Sequence, residues 1–245
     1  MQVYDFGMGI VINEPADLAP YIDHTLLKKD TTEKEIEKLC FEAKQYGFYS
    51  VCIRPQWVRK AKELLRGTHV KVCSVIGFPL DSVQPEDCHF GGMSTEEKIA
   101  EAKKAIADGA DELDMVINVD ALKKGDSGYV VKDINSVKKV AGNKILKVII
   151  ETAVLTEAQK KQACQLSQQA GADYVKTSTG YVKGKEGKTL GATIEDVELM
   201  RSIVGSNFGV KASGGIGNYD KAKAMIEAGA NRLGCSASVE IVRRA

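Results

Sequence analysis

The sequence predicts an α/β fold, a single (β/α)8 (TIM) barrel, and three observations point there. First, a phrase built on glycine recurs: Tyr46-Gly47-Phe48, Asp108-Gly109-Ala110-Asp111, Ala170-Gly171-Ala172-Asp173 and Ala228-Gly229-Ala230-Asn231. The glycines stand at 47, 109, 171 and 229, so each step spans about two strand–helix units of ~30 residues. Second, every copy follows a helix-like segment and precedes a short apolar run, and further apolar runs lie between the copies. Third, 245 residues is the length of one full turn of eight such units, since barrels of this class run to about 250 residues.

Taken in order, strands are expected near 21–23, 48–53, 70–76, 112–117, 145–150, 173–176, 208–211 and 231–235. Between them lie helical patterns such as Thr32–Gln45, Ser94–Asp108, Glu157–Gln169, Thr193–Val204 and Tyr219–Glu227. Thr32 with Glu35 and Ser94 with Glu97 have the spacing of capping boxes. Trp57 follows Pro55 at an expected loop-to-helix start, where packing is the simpler role. Alternating β-runs and amphipathic helices imply parallel strands joined by crossovers, and eight of them imply a closed barrel, with an open doubly wound sheet as the alternative. Residues 1–245 are read as one domain, with 1–19 as an N-terminal extension.

Composition narrows the function. Lys and Arg number 34 against 33 Asp and Glu, a net charge of +1, and no basic run interleaves with aromatics, so no nucleic-acid partner is expected. No segment approaches the ~18 apolar residues that cross a bilayer. Residues 1–27 hold no Lys or Arg for a leader, and the expectation is a cytoplasmic protein without a membrane partner. The six cysteines form no C-x-x-C pair and read as reduced small hydrophobes. His24, His69 and His89 lack ligand spacing, and no nucleotide loop motif occurs. No metal or cofactor is expected.

The active site of such a barrel lies at the C-terminal strand ends. There the chain places Asp23 and Thr25, Cys52 and Arg54, Asp114, Glu151-Thr152, Lys176, Lys211 and Ser236. Buried ammonium groups are costly without partners. Two readings follow for Lys176 and Lys211. One lysine is a nucleophile, its amine made available by desolvation and a second ammonium nearby, with Asp114 moving protons. Alternatively both lysines pair with Asp23 and Asp114 in a structural ion network. After strand 7 stands Lys211-Ala212-Ser213-Gly214-Gly215-Ile216-Gly217, and after strand 8 Gly234-Cys235-Ser236. Loops in these positions commonly hold phosphate, although a Gly–Gly pair alone also makes an ordinary turn.

Lys176-Thr177-Ser178-Thr179-Gly180 closely resembles the Schiff-base segment of the deoxyribose-phosphate aldolases, class I enzymes on a (β/α)8 barrel. Matching segments follow in the same order across roughly residues 20–242: Tyr21–Leu27, Val51–Ile53, Ile76–Leu80, Glu112–Asn118, Lys147–Thr152, Val210–Ile216 and Arg232–Gly234. The resemblance implies Lys176 as Schiff-base nucleophile, Lys211 as the group that lowers its pKa, Asp114 as proton relay and Asp23 as support. It implies phosphate binding by Gly214, Gly215, Gly234 and Ser236, with Gly180 nearby. The implied reaction is reversible cleavage of 2-deoxy-D-ribose 5-phosphate to D-glyceraldehyde 3-phosphate and acetaldehyde without a cofactor, with the C3–C4 bond expected to break. It also implies a homo-oligomer, dimer or tetramer.

Two departures accompany the resemblance. Asp81–Met93 is longer than the usual link and is expected to reshape the rim of the site. Arg243-Arg244-Ala245 carries no C-terminal tyrosine tail of the kind that aids proton transfer in some relatives. Two other readings keep a sugar phosphate as ligand: a Schiff-base barrel with a ketose donor, and a barrel that binds without catalysis.

Overall fold

In a computed structural model that describes residues 11–243, eight parallel strands close on themselves. They are β1 (Ile22–Leu26), β2 (Ser50–Ile53), β3 (Lys71–Ile76), β4 (Glu112–Val116), β5 (Ile145–Ile149), β6 (Tyr174–Lys176), β7 (Gly209–Ser213) and β8 (Arg232–Cys235). Closure comes from β8 pairing with β1, His24 opposite Cys235. The first strand is longer than expected and shifted toward its C-terminal end, because it pairs with both β2 and β8 and the ladder to Ile53 carries it to Leu26.

The outer layer is helical: α1 (Glu33–Tyr46), α2 (Val58–Leu64), α3 (Thr95–Ala107), α4 (Val119–Lys123), α5 (Ser127–Ala141), α6 (Glu157–Gln169), α7 (Ile194–Val204), α8 (Tyr219–Glu227) and α9 (Ser238–Val242). The capping boxes at Thr32 and Ser94 both form, so each side-chain oxygen occupies an N–H that the first helical turn leaves unpaired. Of the expected extension 1–19, residues 1–10 lie outside the described residues. The remainder is packed rather than appended: Pro15–Tyr21 form a 3-10 turn with Leu18 buried, and that turn abuts α8 and α9.

Two hydrophobic environments result. The larger lies between sheet and helices, built from outward-facing strand residues such as Val51, Leu113, Leu146 and Val175 against helix residues such as Ile36 and Ile134. Strand side chains alternate, so Glu112 and Asp114, Lys147, Tyr174 and Lys176, Lys211, and Arg232 face inward. The charged ones meet there across the barrel, as their ion pairs show. Gly209 on β7 is required by this filling, because a Cβ would lie 2.1 Å from the Tyr174 ring. A smaller apolar cluster of Leu27, Cys52, Cys73 and Val75 sits at the upper end of the interior, with Phe78 and Tyr181 against it.

The 81–93 segment is joined to a neighbouring loop of the rim. Val83 donates its N–H to Tyr181 O at 3.0 Å and accepts from Lys183 N at 2.8 Å, joining the loop after β3 to the loop after β6. Gly91, at φ +71°, approaches so closely that a Cβ would stand 1.9 Å from Ile117 O.

One buried ion pair ties the helical layer together. Lys98 on α3 donates to Asp133 on α5 at 2.6 Å and to Val116 O at 3.1 Å, while Thr95 Oγ1 donates to the other Asp133 oxygen at 2.8 Å. An Asp133→Ala change strands a buried ammonium, and loss of about 3–5 kcal/mol of unfolding free energy is expected. Urea denaturation checks this; a loss under about 1 kcal/mol would show that the pair is no better than a surface one.

Candidate active site

The inward face of the barrel carries a continuous charged cluster. At its centre is Asp114, fully buried on β4. Its Oδ2 accepts from Lys176 Nζ at 2.7 Å and from Lys211 Nζ at 2.8 Å, while Oδ1 accepts from Lys147 Nζ at 3.0 Å. Lys211 also pairs with Asp23 on β1, and Arg232 reaches Asp23 at 2.9 Å and Glu112 at 3.4 Å. Lys147 reaches Glu112 at 2.5 Å. These contacts set four cations against three carboxylates, in a space where an unpaired charge is prohibitive.

The electrostatics follow from that geometry. Burial drives the Asp114 carboxyl upward, but Lys147, Lys176 and Lys211 outweigh it and hold the group ionised, well below the ordinary range. Asp23 is held down in the same way, against its burial, by Lys211 and Arg232. Burial pulls the Lys211 and Lys147 ammoniums down, yet their carboxylates raise both above the ordinary lysine range. Lys211 is therefore a fixed positive charge sharing an oxygen with Lys176.

Above the cluster opens a cavity of about 450 Å³, lined by Lys176, Gly180, Gly214, Gly215, Gly234 and Ser236 together with Thr25, Lys28 and Lys183. The expected site residues thus fall into two tiers. Lys176 and the phosphate-loop residues face the cavity; Lys211, Asp114 and Asp23 lie beneath it. Gly214 takes φ +86° and packs so tightly on Gly191 that a Cβ on Gly191 would fall 2.2 Å from Gly214 O. That approach brings the loops after β6 and β7 together, which a side chain at Gly191 would prevent.

Several members of the site were not anticipated. Lys147, Glu112 and Arg232 had a sequence signal, because each is a charge within an apolar strand. Gly191 had none, since its neighbour is remote in sequence. Cys52 and Cys73 lie beside Asp114, and with it form the one described group whose donor atoms approach within 4.8 Å as metal ligands would. Those donors are already engaged: Cys73 Sγ donates to Asp114 Oδ1 at 3.1 Å, and Lys147 Nζ stands 3.6 Å from Cys73 Sγ. His24 takes no part, being held outside the barrel interior by Glu42 and Ser238, each at 2.9 Å.

Glu151, just past β5, is the most strained residue of this region. Its backbone takes φ 59°, ψ 64°, a left-handed conformation costing a non-glycine residue about 1–3 kcal/mol. The side chain is buried. Oε2 accepts the Thr179 N–H at 3.0 Å, within the segment carrying Lys176, and Oε1 accepts nothing among the described residues. Burial pushes this carboxyl up to about 7.

Residues 18–238 match the family model described as DeoC/LacD family aldolase. A deoxyribose-phosphate aldolase of Brevibacillus brevis is 56% identical over 222 residues, covering 91% of this chain and 93% of that protein. One from Thermococcus gammatolerans is 56% identical over 233 residues, covering 94% and 96%. Among solved structures, the tetrameric deoxyribose phosphate aldolase of Aeropyrum pernix superposes with a TM-score of 0.81 at 33% identity, covering 94% of this chain and 91% of its own.

The Glu151 carboxyl gives a pH signature with a definite sign. Its folded pKa lies above its unfolded value, so the folded state binds the extra proton and stability falls as pH rises between about 4.5 and 7. Glu151→Gln removes this dependence. The variant is expected to gain on the parent by up to about 3 kcal/mol between pH 5 and pH 8, measured by denaturant unfolding at both. A stability difference that does not change with pH would contradict the assignment.

Proposed function

The chain belongs to the DeoC/LacD aldolase family, and from that premise we propose that it cleaves 2-deoxy-D-ribose 5-phosphate reversibly to D-glyceraldehyde 3-phosphate and acetaldehyde through an imine on Lys176. The observation that carries the reading is the sharing of Asp114 Oδ2 by Lys176 and Lys211 at the base of the cavity. Lys176 makes a single acid contact in the cluster, whereas Lys147, Lys211 and Arg232 each make two. It is also the cluster lysine that lines the cavity.

Lys176 Nζ adds to the C1 aldehyde, and loss of water gives a protonated imine that draws electrons from the adjacent carbons. Carbon balance corrects the bond expected to break. A two-carbon and a three-carbon aldehyde arise by scission of C2–C3, not C3–C4. The C3 hydroxyl loses its proton and becomes the glyceraldehyde carbonyl, while the C2–C3 electron pair moves into the imine as an enamine. Protonation at C2 and hydrolysis release acetaldehyde and free Lys176. Asp114 begins this cycle ionised, as a proton acceptor. Lys211 serves as a fixed ammonium beside the Lys176 amine and is anchored by Asp23; Lys147 holds the other oxygen of Asp114. Gly180, Gly214, Gly215, Gly234 and Ser236 receive the phosphate at the rim. The full ion pairing of the cluster accords with the structural-network alternative as well, and the two readings combine: the network positions the nucleophile.

The same proposal takes residues 1–245 as one barrel domain acting as a homo-oligomer, dimer or tetramer, in the cytoplasm. No described helix is long and apolar enough to cross a membrane. The described cysteines are all free and buried, as a reducing compartment permits. The tetrameric relative and Phe41, 61% exposed on α1, support association; a monomer mass in light scattering would contradict it.

Release of glyceraldehyde 3-phosphate from 2-deoxyribose 5-phosphate tests the reaction. Lys176→Arg is expected to lower kcat by at least about 10⁴-fold, because a guanidinium forms no imine here. Asp114→Asn is expected to lower kcat about 10²- to 10⁴-fold while inhibition by inorganic phosphate survives. Full activity in Lys176→Arg would end the imine mechanism, and cleavage only of ketose donors would move the substrate assignment.

A further inference from the structure

The loop between β6 and α7 does more than join them. Residues Val182–Leu190 fold back as a short hairpin: Leu190 N donates to Val182 O at 2.9 Å, Gly184 N donates to Lys188 O at 2.8 Å, and Lys183 pairs antiparallel with Thr189. Val83, from the loop after β3, pairs with Val182 on the other side. Three chain segments thus fix this hairpin at the cavity mouth. The hairpin carries Lys183, Lys185 and Lys188; the last two are exposed at the tip, while Lys183 is half-buried and lines the cavity with Thr189.

Its charge has no acid partner among the described residues. Lys183 Nζ donates to Thr189 Oγ1 at 2.6 Å, which engages one of its three donors. Thr189 lies against the glycine loop, its carbonyl oxygen 3.9 Å from where a Cβ on Gly215 would stand. The rim glycines and Ser236 offer an anion backbone N–H groups and a hydroxyl, but no charge. A dianionic phosphate held there is neutralised only by a cation nearby. Lys28 also lines the cavity but is exposed. Lys221, whose Nζ comes 3.5 Å from the Gly215 Cβ position, approaches that glycine from α8 and is not among the residues lining the cavity.

We propose that Lys183 is a specificity-determining residue, the cation by which this chain selects a phosphorylated substrate over its unphosphorylated counterpart. The proposal rests on the phosphate position in the function above. Thr189 and the Val83 pairing hold the ammonium at the rim before substrate arrives, so little ordering is required on binding. A hydroxyl at the same end of the substrate offers Lys183 no charge to meet, so the contact discriminates between the two.

The experiment compares kcat/KM for 2-deoxyribose 5-phosphate and for 2-deoxyribose. Lys183→Met is expected to lower the first about 10- to 100-fold through KM and to leave the second within about twofold. Lys183→Arg should restore most of the loss, and Lys185→Met at the hairpin tip should change neither. Inorganic phosphate, as competitive inhibitor of 2-deoxyribose cleavage, should weaken in parallel for Lys183→Met. Equal losses on both substrates, or an undiminished phosphate preference in Lys183→Met, would overturn the proposal. A parent enzyme with no preference for the phosphorylated substrate would instead overturn the phosphate position itself, and the proposal with it.

Discussion

Everything in the barrel interior turns on one carboxylate with three ammonium neighbours. Asp114 is buried beyond the reach of solvent and accepts from Lys147, Lys176 and Lys211. No single contact of this kind would survive alone, because removing two charges from water costs more than their attraction returns unless further partners complete the shell. Asp23, Glu112 and Arg232 supply that completion. The consequence is chemical as well as structural. The position of Lys176 Nζ is fixed by groups that are themselves fixed, which is the preorganisation a nucleophile needs.

The closed sheet makes the cluster possible. Parallel pairing puts all eight C-terminal strand ends on one face, and alternation directs every second side chain inward. Acids from β1 and β4 and cations from β5, β6, β7 and β8 therefore converge although they lie up to about 200 residues apart in the chain. Above them, close contact of Gly191 with Gly214 joins two loops, and Val83 adds a third. The site accordingly has a charged floor and a rim assembled from loops, the division on which the proposed imine and phosphate positions rest.

Much of this was legible in the sequence, and the limits have physical causes. The glycine phrases marked helix ends, so all eight strands were located, most within about two residues. Asp23, Asp114, Lys176 and Lys211 stood out as charges where a barrel opens. Lys147 carries the same signal, a charge within an apolar run, but it sits in the middle of β5 rather than at the strand end where a barrel site is sought. The helix Ser127–Ala141 was not among the segments named, although Val130, Ile134, Val137 and Ala141 keep a regular apolar stripe; what the sequence does not explain is the buried Asp133 beside that stripe, whose partner Lys98 lies on another helix. The strain at Glu151 and the pairing of Val83 with Val182 depend on distant chain segments meeting, and no local propensity reports that. The 81–93 loop stood out in the sequence, but the segment it pairs with did not.

The most direct measurement is reductive trapping: incubation with acetaldehyde and borohydride, followed by intact mass and peptide mapping. The account predicts one reduced ethyl adduct, on the peptide containing Lys176, with Lys147 and Lys211 unmodified because each is held by two carboxylates and neither lines the cavity. An adduct confined to Lys211 or Lys147, or none on the folded protein, would contradict the assignment of Lys176 as the amine this network positions.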